Sequence, residues 1–270
     1  MRLHRTSLDR MSFTLVMWAL GFAAVALLLL PTLVVVIVSF TSGFSLRFPP
    51  TGYSLRWYAA LLDAWQLHFA ATNSFKIALW TTALSVLLGV AAALAVARSE
   101  TLMARILDSF FMSPLVLPAL AFGIAALMYF TVIGLPVSPL TLVIGHTVVC
   151  VPFVVRTTVA ALAQMNASLL ESSASLGAST LYSFRRVTLP LIRPGILAGA
   201  FIAFMSSFDN VPVSLFLRDA RTDMLPIRMW QDLEGRLDVT IAAVSGVLIA
   251  LTVLALVVME RVAGLSRRIR

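Results

Sequence analysis

The sequence predicts an all-α membrane protein with six transmembrane helices. Hydrophobic residues make up 60% of the 270 residues and charged residues only 12%, whereas a soluble domain carries about 25% charged residues. A soluble fold of this length could not bury so much apolar surface, because surface area falls too slowly with size. A β-barrel is disfavoured, since no stretch alternates polar and apolar residues as a barrel strand does. The whole chain, 1–270, is therefore predicted to be one transmembrane domain.

Uncharged stretches define the predicted spans. A helix needs roughly 20 apolar residues to cross the hydrocarbon core, and no charged residue occurs from Met11 to Phe40. The uncharged segment between Asp108 and Arg156 is too long for one helix, and Gly-Leu-Pro-Val-Ser-Pro at 134–139 predicts a tight reversal between two helices. The predicted spans are 12–40, 74–97, 109–133, 140–162, 194–217 and 239–260.

The N-terminal segment has two interpretations. Arg2, Arg5 and Arg10 followed by an apolar run are also the pattern of a signal peptide. The run is far longer than an h-region of about 7–15 residues, and no A-x-A-like site follows it. We therefore predict a retained membrane anchor.

The distribution of charge predicts the orientation. If the N-terminus is cytoplasmic, the inside segments hold thirteen arginines and five acidic residues, while the outside segments hold six of each. Lys76 and Asp209 lie at or within spans. The net charge of +8 then lies on one face, as the positive-inside rule expects for a protein with both termini in the cytoplasm. The basic composition thus indicates topology in a lipid bilayer and gives no reason to expect nucleic-acid binding.

Few residues suit catalysis or metal binding. The only cysteine, Cys150, lies within a span, so no internal disulfide or cysteine-based zinc site is possible. The histidines, His4, His68 and His146, are scattered. A P-loop requires a Gly-Lys-Ser/Thr step, and the only lysine, Lys76, is not in one. We predict no catalytic residue, no metal and no cofactor. Because the chain has no ATP site of the P-loop type, any energy input must come from ions or from a partner.

The longest inside loop, about 163–193, is patterned as two short helices. An apolar stripe at helical spacing continues past the fourth span. Its members are Leu162, Met165, Leu169 and Leu176. Gly177 is a helix stop, Ser179 is an N-cap for a second short helix, and Pro190 and Pro194 end the unit before the fifth span. The pattern fits either a docking element for another subunit or an interfacial helix lying on lipid.

The same loop carries a family motif. Glu171-Ser-Ser-Ala174-Ser-Leu-Gly177, then nine residues, then Val-Thr-Leu189-Pro190 resembles the E-A-A-x-x-x-G-x9-I-x-L-P loop of binding-protein-dependent ABC importer permeases. The glutamate, the glycine, the spacing and the terminal Leu-Pro match. Serines replace two alanines and valine replaces isoleucine, and these residues still permit close helix approach. By this resemblance, the helix before Gly177 is a coupling helix that binds in a cleft of the ATPase, with Glu171 as its polar anchor.

The resemblance extends along most of the chain, to the second permease of the spermidine/putrescine group. The stretches that carry it are Phe48-Pro49-Pro50, Leu55-Arg56-Trp57-Tyr58, Ser113-Pro114, Leu117-Pro118, His146, Cys150-Val151-Pro152-Phe153, Ser207-Phe208-Asp209-Asn210, Leu225-Pro226 and Met229-Trp230. This group implies the type I ABC importer fold, in the inner (plasma) membrane of a prokaryote. It also implies a heterodimer with a paralogous permease, two ATPase subunits and an external solute-binding protein.

Three residues are candidates for the translocation path. An acid within a span is costly and usually faces a cavity or a partner, and Asp209 lies in the outer half of the fifth span, three residues before Pro212. Its carboxylate meets either a cationic substrate or a basic group of the partner permease. The polyamine permeases often have a second acid where this chain has Asn210. His146, at a similar depth, is expected to hydrogen-bond between helices rather than to contact substrate.

The sequence thus predicts the permease subunit of an ATP-driven importer for a small cationic or amino-bearing solute such as a polyamine, with no enzymatic activity of its own. One alternative is a stand-alone ion-coupled secondary transporter, which would be expected to show repeated halves and several intramembrane ionisable groups. The other is a membrane-embedded enzyme, which would need a cluster of catalytic side chains.

Overall fold

The computed structural model describes residues 3–97, 99, 101–219, 221–236 and 239–263. Several charges that enter the orientation prediction lie outside the described residues. They are those of Arg2, Arg98, Glu100, Asp238, Arg267, Arg268 and Arg270.

Helices make up nearly all of the regular structure in this part of the chain. They are α1 (Leu3–Ser39), α2 (Arg56–Leu62), α3 (Trp65–Val96), α4 (Leu102–Val116), α5 (Ala119–Val132), α6 (Pro139–Ala163), α7 (Ser168–Ser175), α8 (Thr180–Ser183), α9 (Leu189–Phe208), α10 (Val211–Leu217), α11 (Leu225–Arg236) and α12 (Thr240–Ala263). A π-helical turn, Phe184–Thr188, joins α8 to α9, and Thr41 forms a single antiparallel bridge with Tyr53. The predicted all-α class is confirmed.

Five helices in the described ranges are long and apolar enough to cross a membrane. They are Ser12–Ser39, Trp65–Val96, Pro139–Ala163, Thr180–Phe208 and Thr240–Val262. A sixth crossing results if α4 and α5 together form one span, and these two helices are bent by 106° relative to each other.

The third span differs from the predicted single helix over 109–133. α4 ends at Val116, and Leu117 has extended φ and ψ angles of −76° and 140°. The ring of Pro118 disfavours helical angles in the residue before it. The chain therefore turns at Leu117, and α5 begins at Ala119, directly after Pro118. Pro114, in contrast, lies inside α4, so only one of the two prolines ends a helix.

The fifth span also differs from the predicted 194–217. The helix runs continuously from Thr180 to Phe208, and a break at Asp209 and Asn210 separates it from α10. Pro190 and Pro194 therefore do not end the preceding unit. Pro190 follows the π-helical turn directly, and Pro194 lies inside α9.

In the unit formed by Trp65–Gln231 and Val253–Arg270, α3, α6 and α9 pack against one another around Val154 of α6. A Cβ atom added to Gly89 of α3 would lie 2.8 Å from the Val154 Cβ, and one added to Gly199 of α9 would lie 2.9 Å from the Val154 Cα. Lipid is as apolar as the helix surfaces, so close packing through small residues is what holds membrane helices together.

In the same unit, α10 packs between α5 and α6 through close contacts at glycine residues. A Cβ at Gly123 of α5 would lie 2.8 Å from the Pro212 carbonyl oxygen, and one at Gly145 of α6 would lie 2.6 Å from the Leu217 Cδ1. Val213 and Leu217 of α10 are fully buried. The short helix after the break is therefore fixed by two close approaches.

In the other unit, Met1–Ala64 and Asp232–Thr252, the segment after α1 is ordered by aromatic and polar contacts. The Arg56 guanidinium lies 4.1 Å from the ring centroid of Phe44 and 5.0 Å from that of Trp57. The Trp57 Nε1–H donates to the carbonyl of Gly43 over 3.1 Å. Such cation–π stacking is worth roughly 0.5–1 kcal/mol at an exposed position.

Candidate functional site

The predicted helix–glycine–helix unit is present between α6 and α9. α7 ends at Ser175, and Gly177 adopts a φ of +78°, a left-handed conformation that favours glycine at the end of a helix. Ser179 caps α8, because its Oγ accepts a hydrogen bond from the Tyr182 N–H over 3.3 Å. The predicted helix stop and N-cap are both confirmed.

One motif departure has a structural role. Ser173 stands where the resembled loop has an alanine, and its Oγ lies 2.6 Å from the Oγ of Ser183. Ser173 is half-buried and Ser183 is buried, so this hydrogen bond ties α7 to α8 in a partly dehydrated position. Ser175 donates from its Oγ to the carbonyl of Glu171 within α7.

The outer surface of α7 is uncovered. No residue of α7 is buried, Glu171 is exposed in its first turn, and Ala174 and Gly177 are exposed as well. The exposed fraction of Leu176, which follows α7, is 87%. An apolar side chain with so little cover marks an interaction surface when it belongs to a larger patch.

The predicted apolar stripe is not one continuous helical face. Leu162 is buried at the end of α6, whereas Leu169 and Leu176 are exposed, because α6 ends at Ala163 and a turn precedes α7. Leu169 and Leu176, the second half of the stripe, therefore do not continue the buried face of α6.

The Leu-Pro end of the motif lies apart from its glutamate. Leu189 and Pro190 form the first turn of α9, between the buried residues Thr188 and Ile192. They continue the long helix after the π-helical turn, while Glu171 and Ala174 lie on α7.

His146 links three helices. Its Nδ1 lies 2.9 Å from the Ser207 Oγ at the end of α9, and its Nε2 lies 3.0 Å from the Ser214 Oγ of α10. All three side chains are fully buried, so His146 does not line an accessible path in this structure. The interhelical hydrogen bonding that the sequence favours is present, and it crosses the break between α9 and α10. The sequence did not indicate a role for Ser214, because no pattern near it shows that it contacts His146, which lies 68 residues away.

Asn210 is a helix cap. Its Oδ1 accepts from the Val213 N–H over 2.9 Å, and the residue is 9% exposed. Pro212 lies in the first turn of α10, directly after the break between α9 and α10. The signal was in the sequence, because Asn followed two residues later by Pro is an N-terminal helix pattern.

Asp209 lies at the C-terminal end of α9 with an exposed side chain. Within the described part of the chain, no side-chain hydrogen bond or ion pair engages its carboxylate. The acid is therefore presented at the break between α9 and α10. We predicted that the Asp209 carboxylate faces either a cavity or a partner chain. Both environments require an exposed side chain.

The acids that follow are already engaged. The Arg218 Nη1 donates to the Asp223 Oδ1 over 2.9 Å. The Thr222 hydroxyl donates to the Asp219 Oδ1 over 2.6 Å, and this hydrogen bond holds the pKa of the Asp219 carboxyl below its ordinary value. Among these three neighbouring acids, Asp209 is the one whose carboxylate remains available.

The loop before α11 is held against α3. The Asn73 Nδ2 donates to the carbonyls of Arg221 and Asp223, over 3.3 and 3.2 Å. The Ser74 Oγ accepts from the Leu225 N–H over 2.9 Å. The described residues contain no group of three or more His, Cys, Asp or Glu side chains placed to hold a metal ion.

We expect His146→Ala to destabilise the helix break. It leaves the hydroxyls of Ser207 and Ser214 buried without their partner, at a cost of about 1–3 kcal/mol for each unsatisfied group. The measurement is thermal unfolding of the purified protein in detergent, with His68→Ala, at an exposed position of α3, as the control. Equal midpoints for the two variants would show that the histidine bridge does not stabilise the fold.

A family model for the binding-protein-dependent transport system inner membrane component matches residues 85–270. The chain belongs to this family.

Among its curated relatives are two from Escherichia coli strain K12 and one from Mycobacterium bovis. The spermidine/putrescine transport system permease protein PotC is 26% identical, over 89% of this chain and 91% of its own length. The putrescine transport system permease protein PotI is 30% identical over 81% and 79%. The Mycobacterium bovis molybdenum transport system permease protein ModB is 34% identical over 74% and 80%.

A solved structure has the same fold. It is a bacterial ABC transporter involved in the import of the acidic polysaccharide alginate, with a TM-score of 0.66, 16% identity and coverage of 95% of this chain and 96% of that chain. Together with the family match, this fold confirms the predicted ABC importer permease. The chain is a non-catalytic inner membrane component, and the stand-alone secondary transporter is set aside.

Proposed function

We propose that this permease forms one half of the translocation path of an importer, and that it couples the path to ATP hydrolysis through α7. The observation that carries this proposal is the exposed α7–Gly177–α8 unit with Glu171 on its surface. An isolated helix of eight residues is not stable in water, and here the Ser173–Ser183 hydrogen bond holds it in place. A helix held in position with an uncovered outer face suits binding in a cleft of a partner.

The partners are two ATPase subunits, a paralogous permease and an external solute-binding protein. Each ATPase contacts one permease, so Glu171 of this chain pairs with a basic residue in one of the two ATPase clefts, and Gly177 permits the turn that returns the chain to the membrane. Closure of the ATPase pair on ATP then moves α7 together with α9, to which it is joined through α8 and the π-helical turn. This movement opens the path alternately to the two sides.

The proposed topology has six crossings with both termini in the cytoplasm. α1, α3, the bent pair α4–α5, α6, α9 and α12 each cross once. The continuous helix Thr180–Phe208 has 29 residues and is about 44 Å long at 1.5 Å per residue, which exceeds the roughly 30 Å of the hydrocarbon core. Its first turns, with Arg185 and Arg186, therefore extend into the cytoplasm, where the positive-inside rule places arginines.

The proposed substrate is a small cationic or amino-bearing solute such as a polyamine. Two of the relatives are polyamine permeases by name, and the exposed carboxylate of Asp209 at a helix break can receive a cation. The freed backbone carbonyls at the end of α9 add acceptors beside it. A second candidate is the substrate of a molybdenum transport system, because ModB is 34% identical to this chain.

Purification of the tagged chain from its native membrane in mild detergent tests the proposed function. We expect two ATPase subunits and a second permease for each copy of the chain. Recovery of the chain alone, with uptake driven by an ion gradient, would contradict the proposal.

The substrate proposal predicts that Asp209→Asn lowers putrescine uptake about tenfold, which corresponds to about 1.4 kcal/mol of lost interaction. The measurement is uptake of radiolabelled putrescine by cells that express equal amounts of the importer. Asp63→Asn, at an exposed position after α2, is the matched control and is expected to leave uptake unchanged. Unchanged uptake in Asp209→Asn would contradict a cation contact and favour the second candidate.

A further inference from the structure

An open groove of about 820 Å³ lies between α7 and α8. Its lining combines apolar, hydroxyl and basic side chains. The residues that matter here are Leu169, Ser172, Leu176, Ser179, Tyr182 and Arg186. This groove is distinct from the Glu171 side chain, which is not among its lining residues.

Arg186 is the charged group of the groove and has no acidic partner in the described residues. The ion pairs found there are Asp108–Arg156 and Arg218–Asp223, and neither belongs to the loop 163–193. Glu171 is the only acid of this loop, which also carries Arg185, Arg186 and Arg193. The groove is therefore electropositive, and its exposed guanidinium is available to a carboxylate.

The hydroxyl groups add directional donors. The Ser179 Oγ accepts from the Tyr182 N–H, so its own O–H is available as a donor, and the exposed Tyr182 phenol is a second one. A carboxylate can accept several such hydrogen bonds together with a guanidinium. The apolar side chains of Leu169 and Leu176 fit the methylene groups of a glutamate or aspartate side chain.

We propose that this groove receives an acidic side chain of the ATPase subunit, which pairs with Arg186. The inference rests on the proposed function, because its occupant belongs to the subunit that α7 binds. Charge complementarity and continuity with the α7 surface argue for this occupant. The interface then carries two charge pairs of opposite sense, one at Glu171 and one at Arg186.

Two opposed pairs define how α7 sits in its cleft. A reversed orientation, which exchanged the partners of Glu171 and Arg186, would bring each charge to a like charge, and such arrangements cost several kcal/mol in protein interfaces. The groove therefore contributes to selection of the correct ATPase and to its orientation, beyond the attachment that Glu171 provides.

Arg185 provides a matched control. It is adjacent to Arg186 in the π-helical turn and is also exposed, but it does not line the groove. Either arginine could bind an anionic lipid headgroup. A side chain bound in the groove, in contrast, would contact Arg186 and not Arg185.

The experiment compares Arg186→Glu, Arg186→Lys and Arg185→Glu in the tagged complex purified in mild detergent. Recovered ATPase is quantified for each copy of the chain, and the recovered second permease reports that each variant is folded and assembled. We expect Arg186→Glu to lower ATPase recovery at least about tenfold, since reversing one partner of a close charge pair raises the dissociation rate. Arg186→Lys should retain part of the ATPase, and Arg185→Glu should match the wild type.

The outcomes separate this inference from the proposed function. Equal ATPase recovery in Arg186→Glu and Arg185→Glu, at the wild-type level or equally reduced, would overturn the groove assignment and leave the coupling role of α7 in place. Equal reduction would point instead to a general basic surface or to lipid contact. Absence of the ATPase from the wild-type complex would overturn both. An ATPase variant in which one acid is replaced by a basic residue could restore ATPase recovery with Arg186→Glu. That acid would then be identified as the occupant of the groove.

Discussion

Glu171→Arg is expected to remove the ATPase from the purified complex while the two permeases stay together, and to reduce uptake to background. Glu171 is exposed in the first turn of α7, and no hydrogen bond or ion pair within the described ranges engages its carboxylate. Its replacement therefore breaks no side-chain hydrogen bond or ion pair among the described residues. Reversal of a charge at the centre of an interface costs about 2–5 kcal/mol, which weakens binding by roughly 30-fold or more.

Glu171→Gln is the control for an effect on α7 itself. An acid in the first turn of a helix contributes roughly 0.3–1 kcal/mol through the helix dipole, and the glutamine variant loses this contribution without introducing a repulsive charge. We expect Glu171→Gln to retain a measurable fraction of the ATPase. If Glu171→Arg retained as much ATPase as the wild type, the anchor role of this residue would be refuted.

Gly199→Leu is expected to prevent folding of the helix bundle. A Cβ at this position would lie 2.9 Å from the Val154 Cα and would collide with the Thr157 Oγ1. A backbone atom cannot rotate away as a side chain can, so α9 would have to move off α6. Overpacking of a core typically costs about 1–3 kcal/mol, and a leucine adds three further carbons at a contact that depends on small residues.

The matched control is Gly21→Leu. Gly21 lies on α1, and a Cβ there would meet no atom within 4 Å. We expect this variant to be recovered like the wild type, whereas Gly199→Leu should give little monodisperse protein on size-exclusion chromatography in detergent. Equal recovery of the two leucine variants would show that the close packing of α6 and α9 is not required.

The sequence predicted those features that depend on composition or on one residue's intrinsic geometry. Apolar stretches determined the helical class, and Gly177 and Ser179 marked the turn between α7 and α8 because a left-handed glycine and a serine cap act locally. The first part of the family motif could be recognised for the same reason, since Glu171, Ala174 and Gly177 lie on one short exposed segment.

The breaks in the helices were harder to predict. Pro118 separates α4 from α5, Pro194 lies inside a helix and Pro212 begins one. What decides among these outcomes is the neighbouring packing and capping, such as the Asn210 cap before Pro212 and the close approach of α5 to Pro212 at Gly123. The partners of His146 likewise depend on three helices meeting across a break, which no local pattern encodes.

We propose that this permease forms a path driven by ATP hydrolysis on the cytoplasmic side. The most direct test is solute uptake by the purified complex and its binding protein in proteoliposomes, with ATP supplied on the ATPase side and ion gradients collapsed by ionophores. We predict uptake that requires ATP, persists without gradients and is abolished by Glu171→Arg. Uptake that continues without ATP and stops when the gradients collapse would contradict the account.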